Sequence, residues 1–412
     1  MHPPRNSGGK GFSSIYTLTA TYFLLSVCGS MTSLSISLHF AELNKGELLV
    51  ASIFISGTCA QVFAVPFLAP LFNKFSSYHI ALAALFLDLL GLLSMAAYPE
   101  PLILILGNLV TACLSGLSIP SIFTIADSQV GEGQQAKAFS LLDTARLGGG
   151  FLGPPLGGLL LDQRNLQTAL FVEACAVGVS LMAFYSFYKS SPEKALLHPE
   201  TQESSPSFLQ KVLEAPSLLL KDRSARSALT SIWGAIICTS IFNVSLVFYA
   251  TQTLHVSGTL YAIIAQAFIV GRIFGARLSA RLHSQNAGKV LAGAGFAMGC
   301  FIALPGLFPS LWLCIPCFLL GGVCNAAQVA ALRIIVVGSV PDEVKPKALS
   351  TMGSINSSAM LIGYIIGAPV VSAIGPAAAL VVSGFGTSIL TAGPTLKTTM
   401  YGASGNQDND SK

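Results

Sequence analysis

The chain alternates long apolar runs with short polar, proline- or glycine-bearing breaks. The runs are too long for strands and too continuous for surface helices. They predict twelve helices, at about 14–39, 47–72, 79–98, 101–126, 137–161, 167–188, 227–250, 258–281, 288–306, 310–338, 347–373 and 375–394. The first run follows Arg5 and Lys10, exceeds the apolar stretch of a signal peptide and lacks a small-residue cleavage site, so it is expected to be retained. The last two runs are separated by little more than Ile374-Gly375.

Only Lys189 to Arg226 is plainly hydrophilic, rich in Ser, Pro, Glu and Lys. It carries an amphipathic piece, Phe208-Leu-Gln-Lys-Val-Leu-Glu, expected to lie along the inner membrane surface. The predicted organisation is an N-terminal six-helix bundle (1–188), a cytoplasmic linker (189–226), a C-terminal six-helix bundle (227–394) and a cytoplasmic tail (395–412). The fold class is therefore an all-α membrane protein of twelve transmembrane helices in two pseudo-symmetric bundles.

Composition narrows the function classes. The 412 residues are 52% hydrophobic and 10% charged, against about 25% charged in soluble chains. Nucleic-acid binders, soluble enzymes and disulfide scaffolds are excluded, and the net charge of +4 is no polyanion signal. The nine cysteines all fall inside apolar runs and read as small buried side chains. Charge placement sets an expected orientation. With both termini cytoplasmic, the outer loops hold only Lys45 and Arg164; Arg146, Arg272 and Arg333 fall within spans, and every other Lys and Arg is inside. This is the pattern of a multi-pass membrane protein; a bacterial inner membrane is its expected setting.

The halves echo each other. Lys137-Ala-Phe-Ser140 opens the fifth span and Lys347-Ala-Leu-Ser350 the eleventh, while Gly149-x3-Gly153-x-Pro155 matches Gly363-x3-Gly367-x-Pro369. The second and eighth spans both end in a basic turn, Phe72-Asn-Lys-Phe75 and Ala280-Arg-Leu-His283. Internal repeats of this kind mark secondary transporters, whose halves open a shared site to alternate sides.

The segment Gly149-Gly-Phe-Leu-Gly-Pro-Pro-Leu-Gly-Gly158 resembles the G-x3-G-P-x2-G-G motif on the fifth helix of major facilitator superfamily exporters. In this chain Gly149, Gly153, Pro154, Gly157 and Gly158 carry the resemblance, which implies a drug or metabolite antiporter. Physically, glycines four apart permit close helix contact, and Pro154 and Pro155 remove backbone donors. The run Val340-Pro-Asp-Glu-Val-Lys-Pro-Lys347 resembles the same loop in the enterobactin-exporter-like branch. Ala69-Pro-Leu-Phe-Asn-Lys-Phe-Ser-Ser-Tyr78 departs from the family's G-x-L-a-D-R-x-G-R-R loop: Asn73 replaces the acid beside Lys74, so the cytoplasmic gate formed by these two is expected to be weaker or differently built. Asn108 stands twelve residues before Pro120, where the family often carries an arginine tied to proton coupling.

A charge at a helix centre costs at least about 2.5–3.5 kcal/mol on insertion scales, so ionisable groups within spans are functional candidates. The proton-coupling candidates are Asp88, Asp143 and Glu173. Asp143 and Arg146 stand three apart on one face, either as a self-neutralising couple or as an acid that titrates when Arg146 is drawn away. Asp88 is nearly central in its span, without a charged neighbour in sequence reach, which suits a proton carrier. The resemblance places Asp88 and Glu173 on outer supporting helices, away from the cavity, and the first, fourth, seventh and tenth helices around it. Asn108, Thr111, Ser115 and Ser118 form a polar stripe on the fourth. With Gln61, Thr239, Asn243, Asn325 and Gln328, this stripe supplies substrate-binding candidates or ordinary interhelical hydrogen bonds. Arg146 and Arg272 complete the set. If the outer-helix acids are set aside, the excess of guanidinium favours an anionic substrate, such as a carboxylate- or catecholate-bearing siderophore.

There is no G-x4-G-K-[ST] nucleotide loop, H-E-x-x-H or paired metal-ligand cluster. Neither catalysis, a cofactor nor a metal is expected; a proton gradient supplies the energy. The reading is a monomeric exporter of a small organic metabolite by proton antiport and alternating access. Its alternatives are a broad-specificity multidrug efflux pump and a proton-coupled importer of a sugar or organic acid. A membrane receptor or scaffold without transport is the rival from another class.

Overall fold

The computed structural model describes residues 8–43, 46–68, 70–130, 135–163, 165–190, 223–279, 282–340 and 345–404. Among them the chain forms twelve long helices and no strand. These are α1 (Gly8–Ala41), α2 (Gly46–Cys59, continuing through a π-helical turn Ala60–Ala64 into Val65–Leu68), α3 (Ser77–Ala97), α4 (Pro101–Gln129), α5 (Gln135–Gln163) and α6 (Leu166–Ser190). Then follow α7 (Arg223–Phe248, ending in a π turn Tyr249–Thr253), α8 (Gly258–Ser279), α9 (Ala287–Leu307), α10 (Leu311–Gly338), α11 (Lys345–Ile374) and α12 (Pro376–Ser404). The amphipathic Phe208–Glu214 piece and residues 341–344 of the Val340–Lys347 run lie outside the described residues.

The predicted helices all form, and their ends follow local chemistry. Pro101 and Pro376 sit at first helical positions, where a missing N–H costs nothing. Gly375 takes φ 79° between α11 and α12 and donates its N–H to the Val371 carbonyl at 2.9 Å, so one residue suffices to separate two helices. The last helix runs ten residues past its expected end at 394, to Ser404.

Ten of the helices are long and apolar enough to cross a bilayer. In α5, glycines, prolines and Arg146 take the place of apolar side chains, and the apolar part of α12 is the shorter Pro376–Ala392. The protein is thus a multi-pass membrane protein. Large apolar side chains fill the core, as at Phe40, Phe184 and Phe318, but many also point outward, as at Leu102, Met182, Leu278 and Ile389, where lipid replaces water. Many hydroxyls are buried as well. Ser121 and Ser245 donate to the carbonyls four residues back, both at 2.8 Å. Others join helices: Ser35 donates to the Gly157 carbonyl at 3.3 Å and Ser231 to that of Leu390 at 2.7 Å.

By contacts the chain forms two compact units: Met1–Glu42, Cys59–Ser204 and Gly258–Ala262 in the first, Leu43–Thr58, Ser205–Ser257 and Ile263–Lys412 in the second. In unit 1, α1 packs on α5 and α6, and α3 on α4 and α6. Unit 2 repeats these pairs as α7 on α11 and α12, and α9 on α10 and α12. The glycines of the sequence repeat explain the pairing. A Cβ at Gly149 would stand 2.8 Å from the Phe23 carbonyl of α1, and one at Gly157 2.6 Å from that of Met31. In unit 2, a Cβ at Gly363 would stand 2.5 Å from the Ile237 carbonyl of α7. Matched glycines therefore seat matched helix pairs at backbone contact.

Candidate functional site

Unit 1 encloses a cavity of about 290 Å³ among α1, α3, α4, α5 and α6. Its polar wall comes from all five helices. Tyr22, Ser26 and Ser30 stand four apart along α1, and Thr111, Ser115 and Ser118 lie on one face of α4. Arg146 reaches it from α5, Asp88 from α3 and Glu173 from α6.

Both acids, Asp88 and Glu173, come from helices that the family resemblance gives as outer supports, and both lie on the wall of this pocket within unit 1. The reason is packing: α3 lies against both α4 and α6, while α6 also packs on α1, so each helix turns one face into the bundle. Glu173 is 2% exposed and its Oε2 has no hydrogen-bond partner. The Tyr22 hydroxyl is equally unpartnered, and the Thr111 hydroxyl bonds the Asp88 carboxyl. The carboxyls of Asp88 and Glu173 lie within electrostatic reach of each other.

Arg146 and Asp143 form the expected pair, Nε to Oδ1 at 3.5 Å, with side chains 54% and 56% exposed. A pair this open to solvent contributes only about 0–1 kcal/mol, so Arg146 is readily exchanged between partners.

Of the other candidates, Thr111, Ser115 and Ser118 line the cavity and the rest do not. Asn108 on α4 is half-buried and already engaged. Gln61 is exposed in the π turn of α2. Thr239 bonds the Ile236 carbonyl of its own helix at 3.1 Å. Asn243 donates to the Tyr364 hydroxyl at 3.3 Å, and the Tyr364 ring stacks on Phe54 at 5.0 Å. Asn325 meets Met298 Sδ at 3.5 Å. Gln328 is 3% exposed and packs over Gly295. Arg272 is exposed on α8 and engaged elsewhere, and Arg333 is exposed on α10. Of the gate pair, Lys74 is exposed at the end of a short helical turn, Leu71–Lys74; the Asn73 side chain lies outside the described residues. No group of three or more His, Cys, Asp or Glu is arranged for a metal among the described residues.

Sequence reasoning missed the α1 contribution, although Tyr22, Ser26 and Ser30 stand at i, i+4 and i+8. It also missed Asp162, at the end of α5. In unit 1 the Asp162 carboxylate accepts the N–H groups of Gly258 (2.8 Å) and Thr259 (3.0 Å) and the Thr259 hydroxyl (2.7 Å). It caps the first turn of α8 from another helix. Gly158 makes this possible, because a Cβ there would stand 2.5 Å from the Gly258 backbone. Replacing Asp162 by Ala is expected to cost about 0.5–2 kcal/mol, read as a lower melting temperature in detergent. Asp162→Asn, which keeps an acceptor, is expected to recover part of it; equal melting of all three chains would refute the cap.

The family model of the Major Facilitator Superfamily matches residues 18–321. No curated protein matches the sequence. Among solved structures, the chain is similar to a POT family transporter in complex with 5-aminolevulinic acid (13% identity, 95% of this chain and 96% of that one, TM-score 0.70). It is also similar to the nucleoside transporter NupG (14%, 92% and 97%, TM-score 0.70). A third is a bacterial homolog of the human lysosomal transporter Spinster in an inward-facing, unoccupied conformation (12%, 95% and 97%, TM-score 0.66). Identities this low speak to the fold.

Proposed function

Because the chain belongs to the major facilitator superfamily, and so is a membrane transporter, we propose that it exports a small organic molecule from the cell by proton antiport. The setting we propose is a bacterial inner membrane, with both termini cytoplasmic. The α5 Gly-Pro segment supports export, and the absence of a nucleotide loop supports a gradient as the energy source.

The observation that carries the reading is a pair of acids, buried Glu173 and half-buried Asp88, on one small cavity. Antiport requires that proton and substrate bind at different stages, each favouring one orientation of the carrier. Acids at the binding cavity supply that exclusion: a substrate with a cationic or hydrogen-bond-donating group takes the place of the proton. The cavity volume lies at the lower edge of small-molecule sites, which fits a compact molecule or one arm of a larger one.

A second reading, an anionic and siderophore-like substrate, is favoured by Arg146, whose guanidinium lines the cavity and is held only by an exposed pair. Against it, the excess of guanidinium disappears once Asp88 and Glu173 count as wall residues. An anion and a proton also attract each other in one cavity, which favours travelling together over exchange.

Inside-out vesicles with an imposed pH gradient separate these readings. A lipophilic cation such as ethidium is expected to accumulate when the interior is acid, and Arg146→Gln is expected to leave that accumulation in place. Accumulation of dihydroxybenzoate instead, abolished by Arg146→Gln, would establish the anionic reading. Flux of either in the opposite direction would make the protein an importer.

A further inference from the structure

Resting on the antiport reading, we infer that Asp88 and Glu173 act as one unit that holds a single exchangeable monovalent cation, a proton or a sodium ion, in the wall of unit 1. Oxygens from four helices meet at the same cavity: the Thr111 hydroxyl from α4 hydrogen-bonds the Asp88 carboxyl from α3, while Tyr22 Oη from α1 and Glu173 Oε2 from α6 have no partner. Tyr22 and Glu173 are each 2% exposed. Thr111 stands beside the Asp88 carboxyl, and the two carboxyls sense each other's charge.

Buried polar atoms are almost always partnered, so two unpartnered oxygens beside a second carboxyl call for a ligand. The chemistry of the set says which. Two are carboxylate oxygens and two are hydroxyls that can turn their lone pairs inward, so the cluster is rich in acceptors and attracts positive charge. Two neighbouring carboxylates do not both remain ionised and uncompensated in a low-dielectric interior. One bound cation removes the conflict; a second would leave the pair without charge to exchange.

The other titratable groups facing the pair are few. Helix α1 brings Cys28 as well as Tyr22, and Cys28 senses Glu173. Helix α5 brings Arg146, paired with the exposed Asp143. From α4 the polar groups on the cavity wall are Thr111, Ser115 and Ser118, none of them an acid or base. The guanidinium thus lies on the solvent side and the acids on the buried side. Asp143 is then the resting partner of Arg146 rather than the ion carrier.

The test uses the purified full chain in nanodiscs and needs no transported substrate. Dicyclohexylcarbodiimide, an apolar reagent that modifies protonated carboxylic acids, is expected to add no more than one equivalent per chain, mapped by peptide mass to Asp88 or Glu173. Labelling is expected to fall at least about fivefold from mildly acid to alkaline pH. At fixed pH, protection by sodium chloride but not by choline chloride identifies sodium as the ion; equal labelling in the two salts identifies the proton. The variant combining Asp88→Asn with Glu173→Gln is expected to lose the label. Infrared difference spectra of the wild-type chain give a second readout, a carboxylic-acid band that disappears on alkalinisation or sodium addition. Two equivalents per chain, labelling indifferent to both pH and sodium, or neither label nor band at these residues would overturn the inference. Because no substrate is present, that failure leaves the export reading standing. Conversely, a labelled pair in a chain that moves none of the tested compounds would refute the export reading alone.

Discussion

Replacing Glu173 by Gln is expected to reduce pH-driven accumulation of a transported cation to the level of passive leak. The arithmetic follows from exchange of one proton for one substrate. A gradient of one pH unit is worth about 1.4 kcal/mol per proton, or about tenfold accumulation, and two units about a hundredfold. In the Gln variant the ratio is expected to approach one. The amide keeps the volume of the carboxyl and its ability to hydrogen-bond, but binds no exchangeable proton. Substrate-for-substrate exchange across the same vesicles, which needs no net proton movement, is expected to persist. That contrast separates lost coupling from lost folding. With a singly charged cation the exchange is electroneutral, so collapsing the membrane potential is expected to leave the wild-type ratio unchanged. Full pH-driven accumulation by the Gln variant would refute the role assigned to Glu173.

The second large effect is structural. Replacing Gly153 by Leu is expected to prevent assembly of unit 1, so that no monodisperse chain is recovered from membranes. A Cβ at this position collides with the Val27 carbonyl of α1 and stands 2.9 Å from Ser30 Cβ. Overpacking against movable side chains costs about 1–3 kcal/mol. Here the obstacle is backbone, and relief requires prying apart α1 and α5 along a shared face that also includes Gly149 and Gly157. Gly150 is the control. A Cβ there meets only Ser30 Oγ, at 3.8 Å, and Gly150→Ala is expected to leave yield and melting temperature unchanged. The repeat in unit 2 sharpens the comparison. Gly363 faces the Ile237 carbonyl at 2.5 Å, whereas at Gly367 the first contact is a Val244 methyl at 3.1 Å. Gly363→Leu is therefore expected to be as damaging as Gly153→Leu, and Gly367→Ala to be tolerated. Recovery of a well-folded Gly153→Leu chain would show that the motif does not seat the two helices.

The two results rest on different kinds of information. The helices, their order, the paired glycines and the Asp143–Arg146 couple were legible in the sequence. Each depends on residues close together in the chain, or on a bilayer's demand for long apolar stretches with internally satisfied backbones. The same demand makes apolar residues uninformative about facing, since lipid accepts them as readily as a helix neighbour does. Which polar residues look inward was therefore decided by tertiary packing. Thr111, Ser115 and Arg146 turned into the cavity, whereas Asn243, Asn325 and Gln328 found partners or neighbours within unit 2. Packing of α3 against both α4 and α6 brought Asp88 and Glu173, 85 positions apart in the sequence, to one wall. The close passage of Gly158 by Gly258 gave Asp162 a helix end to cap. The sequence by itself determined a multi-helix membrane protein with a repeated architecture, because hydropathy and glycine spacing act along the chain. Only the tertiary structure decided where the acids converge, because that depends on the rotation of each helix about its axis, which a uniformly apolar surface leaves open.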